Sequence, residues 1–180
     1  MKKIFLLLPV LFLFPLQAFA TDYPVIMNNG TVLLNTGVGF GMPRSQSRTM
    51  KCPPLTISLD TATPLMGLPF TLGIITGYLS EKHPIEIDYH YMPIGLRLAY
   101  HKNLFSRLPR FDNYIVLTLG YAIPFPESSK SPHWDEKYGR LFWFGLGIGS
   151  RYFFLPNMGV YFEFGIDTFQ ILTLGLTFKI

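Results

Sequence analysis

Charged residues are scarce in this chain of 180 residues, and long apolar runs are scarcer still. Asp, Glu, Lys and Arg together make up 14% of the sequence, against about 25% in ordinary soluble domains. After the N-terminal region, no segment approaches the roughly 18 uncharged apolar residues of a membrane-spanning helix. A chain with too little charge for a soluble domain and no membrane helix has one common solution, which is a closed transmembrane β-barrel.

The signatures of disulfide, metal and nucleotide sites are missing as well. Cys52 is the one cysteine in the sequence, which excludes an internal disulfide, and we expect a free thiol in a loop. The four histidines lack the paired spacing of zinc ligands. Two GxGxG runs, at 37–41 and 145–149, fall inside predicted strands and precede no helix, which argues against a nucleotide site. The sequence therefore predicts no cofactor, no metal and no catalytic centre.

The N-terminus has the features of a secretory signal peptide. Lys2 and Lys3 precede an apolar run, and Ala18-Phe19-Ala20 matches the pattern that signal peptidase cleaves. The run is too short for a membrane anchor, which needs about 20 residues. We expect a signal peptide at 1–20 and an exported barrel domain at 21–180. Loss of Lys2 and Lys3 lowers the formal charge from +4 to +2, so the net charge does not indicate nucleic-acid binding.

Apolar residues alternate with small or polar residues along the rest of the chain. Residues two apart share one face of a strand. The alternation occurs in eight segments, which are 34–41, 55–60, 70–78, 94–101, 115–123, 142–152, 159–167 and 171–180. The pattern predicts an all-β fold, an eight-stranded antiparallel up-and-down transmembrane β-barrel. An even number of strands returns both termini of the chain to one side of the membrane.

The two faces of these strands differ in a way that indicates lipid outside and a filled lumen inside. One face is apolar, while the other holds nearly all the strand glycines with Thr, Ala and a few charges. A soluble lipocalin-like barrel would need more charge on its outer surface than this second face provides. The same face suits a narrow interior, where large side chains need room. Aromatic residues near the strand ends are expected to form two girdles: Phe40, Tyr78, Tyr121 and Phe142 at one interface, and Phe70, Tyr100, Tyr152, Phe154 and Phe178 at the other.

The connections follow from the strands. Surface loops are predicted at 43–52, 80–86 and 126–139, with a very tight turn near Asp167-Thr168. Periplasmic turns are predicted at 63–69, at 102–112, which is long for this side, and at 155–157. The long loop 126–139 contains His133, Trp134 and Tyr138, which are candidates for surface contact or members of an ordinary hydrated loop.

Five charged residues fall on the inward face of the predicted strands, namely Asp60, Arg97, Arg151, Glu163 and Lys179. Charges in a narrow barrel must pair to offset the cost of leaving water. If the 155–157 turn closes its hairpin, Arg151 and Glu163 are nearly opposite each other. The favoured interpretation is a structural network of salt bridges that fills the lumen, and the alternative is a gated polar pore.

The chain resembles the small outer-membrane β-barrel domain family, which includes the OmpA transmembrane domain, OmpX and the opacity-type proteins. The resemblance rests on GLGIGSRYFFLPNMGVYFEFGIDTFQILTLGLTFKI (145–180) and on IGLRLAYH (94–101). One departure is the terminal Ile180, where the family usually ends in an aromatic residue read by the barrel-assembly machinery.

The resemblance implies a non-enzymatic protein of a bacterial outer membrane, with a structural role in the envelope and surface contact as a further role. It implies outer-membrane lipids, lipopolysaccharide and the barrel-assembly machinery as partners. The alternatives are a small-solute pore and a lipid-modifying enzyme of the lipid A deacylase kind. Such an enzyme carries a Ser/His/acid set at the membrane face, for which His90 and Ser150 are the outward-facing candidates.

The mature protein should begin at Thr21, because Ala18 and Ala20 supply the small residues that signal peptidase accepts. N-terminal sequencing of protein extracted from membranes would test this boundary. Recovery of a chain that still begins with Met1 would show that no signal peptide is removed.

Overall fold

The computed structural model describes residues 29–41, 49–65, 68–82, 88–102, 110–126 and 141–180. The predicted signal peptide and its cleavage site lie outside these residues. Within them, no helix is long and apolar enough to cross a membrane.

Eight strands form one closed barrel in chain order. The strands are β1 (Val32–Phe40), β2 (Thr49–Leu65), β3 (Leu68–Lys82), β4 (Asp88–His101), β5 (Phe111–Pro126), β6 (Leu141–Leu155), β7 (Met158–Asp167) and β8 (Leu172–Lys179). Each strand pairs antiparallel with the next, and β1 pairs with β8 to close the sheet. The predicted eight-stranded antiparallel up-and-down barrel is confirmed.

Exposure alternates along the strands as the sequence pattern predicts. On the outward face, Ile74, Leu96 and Ile115 are 60%, 62% and 53% exposed, and the same face of every other strand carries exposed apolar side chains. An exposed apolar surface that encircles the barrel far exceeds the few hundred Å² of a typical patch on a soluble monomer. The barrel is therefore a transmembrane one, with lipid against its outer wall.

The two ends of the barrel have different connections, and we name them accordingly. The loop end carries the connections 42–48, 83–87 and 127–140 and the turn between β7 and β8. The termini end carries the start of β1, the end of β8 and the connections 66–67, 102–110 and 156–157. Outward aromatic rings pair at both ends, such as Tyr121 with Phe142 at the loop end and Phe111 with Tyr152 at the termini end, with centroids 5.9 and 4.9 Å apart.

Most strands extend further than predicted, because backbone pairing continues beyond the region where the outward residues are apolar. β2 begins at Thr49, which pairs with Lys82 at the end of β3. Cys52 therefore lies in a strand and not in a loop, and the predicted loop 80–86 begins later. β5 begins at Phe111, so Asp112 is a strand residue and was wrongly assigned to the 102–112 turn.

The two turns on either side of β7 differ. Pro156 and Asn157 form the predicted tight turn between β6 and β7. The turn from Thr168 to Ile171 folds into the barrel mouth, where the ring of Phe169 is 3% exposed and lies 6.3 Å from the ring of Trp143. Glycine makes this possible, because a side chain at Gly39 would collide with Gln170 of the same turn.

Leu174→Arg should destabilise the barrel by about 2–4 kcal/mol, because it places a charge against lipid near the middle of the wall. Leu174 lies on the outward face of β8, 46% exposed, and pairs with Val38 of β1 and Phe162 of β7. Urea titration in lipid vesicles would measure the loss, with Leu174→Ala as the matched control. Equal stability of the two variants would contradict the outward position of this residue.

Candidate functional site

The lumen is apolar toward the loop end and charged toward the middle and the termini end, where Leu33, Ala62 and Phe153 also form a small apolar cluster. The apolar part at the loop end consists of packed, buried side chains, namely Ile75, Leu79, Tyr91, Ala122, Trp143 and Phe169. Their strands carry small residues or charges further along the same inward face, so the change in polarity follows directly from the inward sequence of each strand. Two linked clusters of buried charge lie beyond the apolar part.

Arg97 organises the first cluster, which we call the Arg97 cluster and which includes Asp60, Glu163 and Tyr114. Its Nε donates to Asp60 Oδ2 at 3.3 Å, and its two terminal nitrogens bind the two carboxylate oxygens of Glu163. Tyr114 Oη donates to Glu163 Oε1 at 2.7 Å. A guanidinium that binds one carboxylate with two nitrogens makes a strong and directional pair, so the cluster fixes β2, β4, β5 and β7 relative to one another.

Arg151 organises the second cluster, which we call the Arg151 cluster and which includes Asp112, His101 and Thr71. The Arg151 side chain is 1% exposed and donates to Asp112 Oδ2 at 2.8 Å. The other oxygen of Asp112 lies 2.9 Å from His101 Nδ1, and His101 Nε2 lies 2.9 Å from Thr71 Oγ1. Each charged group therefore has a partner of opposite charge or a hydrogen bond in a part of the barrel that excludes water.

Two contacts join the clusters across the lumen. Asn35 donates to Asp60 Oδ2 at 2.8 Å and accepts from Arg151 at 3.4 Å. The Arg151 guanidinium also lies 4.8 Å from the ring centroid of Tyr114, a cation–π distance. The result is one polar network with members on seven of the eight strands.

The predicted pair of Arg151 with Glu163 is wrong. Arg151 lies opposite Tyr161 in the β6–β7 register, and Glu163 lies opposite Gly149. The cause is an irregularity between Phe153 and Leu155, close to the turn, that shifts the register of the hairpin. Arg151 instead reaches Asp112 on β5, while Glu163 reaches across the lumen to Arg97.

The other predicted lumen residues have different surroundings. Asp60, Arg97 and Glu163 come together directly, and Arg151 joins them through Asn35. Lys179 lies near the termini end with its Nζ 4.6 Å from the ring centroid of Phe153. The candidate surface residues His133, Trp134 and Tyr138 lie outside the described residues.

Sequence reasoning missed several members of the network, most of all Asp112, His101 and Tyr114. The sequence does indicate an inward position for two of them. Asp112 and Tyr114 continue, two residues apart, the inward series of Val116 and Thr118. The alternation in the segment 94–101 also puts His101 on the inward face, but it does not indicate which residue His101 binds. Asn35 and Thr71 were also placed inward, yet neutral residues gave no indication that they bind the charged groups.

A small cavity of ≈ 40 Å³ with both polar and apolar lining lies between the Arg97 cluster and the apolar part of the lumen. Arg97, Glu163, Asp167 and Trp143 line it, and Trp143 Nε1 donates to Asp167 Oδ2 at 2.9 Å. This volume suffices for one or a few water molecules. Within the described ranges, His, Cys, Asp and Glu side chains form no group of three that would hold a metal ion.

The comparisons with known proteins concern the barrel. No protein-family model and no curated protein matches the chain. Among solved structures, it is similar to a de novo designed transmembrane β-barrel at 16% identity, over 86% of this chain and 98% of the other, with a TM-score of 0.47. It is also similar to Neisserial surface protein A (NspA) at 12% identity, over 83% of this chain and 96% of the other, with a TM-score of 0.49.

Arg151→Met and Asp112→Asn should each destabilise the barrel by about 3–5 kcal/mol, because each leaves a buried charge without its main partner. The double variant should recover part of the loss, which gives a coupling energy in a double-mutant cycle. Urea titrations in lipid vesicles, read by the gel shift of the folded barrel, would supply the free energies.

The matched control is the cycle of Arg151→Met with Glu163→Gln. Its coupling should be clearly smaller than that of Arg151 with Asp112, since the structure gives these two residues separate partners. A larger coupling in the control cycle would show that the two clusters are assigned incorrectly.

Proposed function

We propose that this protein is a non-enzymatic outer-membrane barrel with a structural role in the envelope of a diderm bacterium and surface contact through its loops as a further role. The observation that carries the proposal is the polar network, which ties the strands together across a lumen that is filled by buried side chains. A barrel built in this way holds its shape in the membrane and offers solutes no wide path.

The position in an outer membrane is supported by the way the chain would cross the bilayer. It crosses with tilted strands and an outward apolar belt, the arrangement of outer-membrane barrels. The N-terminal sequence has the features of a signal for export. Such barrels have short periplasmic turns and longer surface loops, so the termini end would face the periplasm and the loop end would face the outside.

The proposed partners follow from that position. Outer-membrane lipids and lipopolysaccharide would surround the apolar belt. The barrel-assembly machinery would insert the chain, and β8 presents Leu174, Leu176 and Phe178 on one face before Ile180. The terminal Ile180 is 76% exposed, which leaves its side chain accessible to such a partner.

The two rival functions find less support. A pore requires a continuous path, whereas Arg97 and Arg151 are 5% and 1% exposed. Arg97 binds Glu163 across the lumen, and Arg151 binds Asp112 within it. For a lipid-modifying enzyme, His90 and Ser150 lie near opposite ends of the wall, so they are too far apart to act together. Activity on labelled lipopolysaccharide that is abolished by His90→Ala would nevertheless favour the enzyme.

The purified barrel should show no steady conductance in planar lipid bilayers at about 100 mV, because charged pairs and the apolar part of the lumen block the path. Insertion would be verified independently by heat-modified mobility on gels. Stepwise conductance whose ion selectivity changes in Arg97→Ala would overturn the sealed lumen and favour the pore.

A further inference from the structure

The outer wall of the barrel is not uniform around its circumference. An apolar groove of ≈ 690 Å³ lies on the side formed mainly by β2 to β5, and the outward side chains of Ile57, Leu59, Ile74, Thr76, Ile94 and Leu96 line it. The volume falls within the about 300–1,000 Å³ that is typical of ligand sites. Apolar atoms make up nearly all of its surface, so the groove suits a hydrocarbon chain.

The β3–β4 ladder is interrupted immediately beyond the groove, toward the loop end. Regular pairing stops at Thr76–Ile94 and resumes at Leu79–Tyr91, because Pro93 has no N–H to donate. The Thr76 hydroxyl donates to the Pro93 carbonyl at 3.0 Å. Further along the same outward face, Tyr78 Oη and His90 Nδ1 form a hydrogen bond of 2.6 Å across the two strands.

Two lysines stand above the groove on the same side of the barrel. Lys51 of β2 and Lys82 of β3 are both exposed and lie at the loop end, Lys51 within the stretch of β2 where the register shifts. Among the exposed residues described at the loop end, they are the only cations. The wall on β7, away from the groove, presents apolar residues at the same end, such as Phe164 and Ile166. We call Lys51, Lys82 and the Tyr78–His90 pair the basic rim.

The spacing between the groove and the basic rim matches one lipid molecule. Ile74 lies midway between Phe70 and Tyr78, the two girdle residues of β3, and so near mid-membrane. Lys82 is eight residues beyond Ile74, which is about 26 Å along a strand and about 20 Å in depth at a tilt of about 40°. Half of a bilayer with its headgroups is about 20–22 Å, so the lysines would lie at the level of the lipid headgroups.

We propose that this face of the barrel is a specific binding site for one phosphorylated lipid of the surrounding leaflet. Its acyl chain lies in the apolar groove, its phosphate is bound by Lys51 and Lys82, and the Tyr78–His90 pair faces the polar part of the headgroup. Charge complementarity selects an anionic lipid over a zwitterionic one, and the groove selects this side of the barrel over the opposite wall. The proposal goes beyond the structural role and rests on the position in the membrane.

Native mass spectrometry of the refolded barrel in detergent would test the site, with diphosphorylated lipid A and phosphatidylcholine as competing probes. We expect about one retained lipid A per barrel and a clear preference over phosphatidylcholine. Replacing each lysine with Gln should weaken lipid A binding roughly fivefold, while Arg110→Gln, which removes an exposed cation at the termini end, should leave it unchanged.

Two further variants separate the site from general contact with lipid. Ile74→Trp would fill the groove and should displace the lipid, whereas Ile148→Trp on the opposite wall should not.

The outcomes decide the proposal in either direction. Equal retention of lipid A and phosphatidylcholine, or full retention by the Lys51→Gln/Lys82→Gln double variant, would overturn it. If a variant does not fold, the salt dependence of lipid A retention by the wild-type barrel tests the proposal instead. Phosphate binding by lysines must weaken as salt concentration rises, so retention that does not change with salt would overturn it. The conductance assay tests the sealed lumen and does not depend on lipid binding to the outer wall. Failure of the lipid site is therefore distinguishable from failure of the proposed structural function.

Discussion

Closure of the sheet is the constraint on which the rest of this structure depends. In an eight-stranded barrel the interior has room for side chains and for little else. Every inward residue must therefore pack against residues from other strands, and every inward charge must find its partner inside. Arg97 meets this requirement with Asp60 and Glu163, and Arg151 meets it with Asp112. The filled lumen is a consequence of closing a narrow barrel around charged residues.

The faces of the strands could be predicted from the sequence, but the partners within the lumen could not. Alternation with a period of two is set by the backbone, so it assigned Leu174 to lipid and Thr173 to the lumen without knowledge of any neighbour. Partners depend on register, and the irregularity between Phe153 and Leu155 shifted the register of β7 enough to separate Glu163 from Arg151. Asp112 was missed for a related reason, because pairing of β5 begins before its outward residues become regularly apolar.

The polarity of the lumen changes along the barrel in a way that protects the charges. Trp143, Phe169 and Tyr91 pack across the loop end, and the turn that carries Phe169 folds inward to complete this layer. This layer covers the Arg97 cluster on the side of the loop end. Burial strengthens the ion pairs beneath the layer, and it also makes any unpaired charge more costly. The apolar layer and the network therefore stabilise the barrel together.

The polar network is completed only when β1 closes the barrel. Asn35 lies on β1, the strand that pairs with β8 to close the sheet, and it contacts both Asp60 and Arg151. Until β1 is in place, the hydrogen bonds of Asn35 that join the two clusters are missing, and the side of the lumen that β1 closes remains open. A partly closed barrel thus lacks the hydrogen bonds that offset burial of its charges. Closure and completion of the polar network should occur as one cooperative event, which favours a single sealed state over a range of partly open ones.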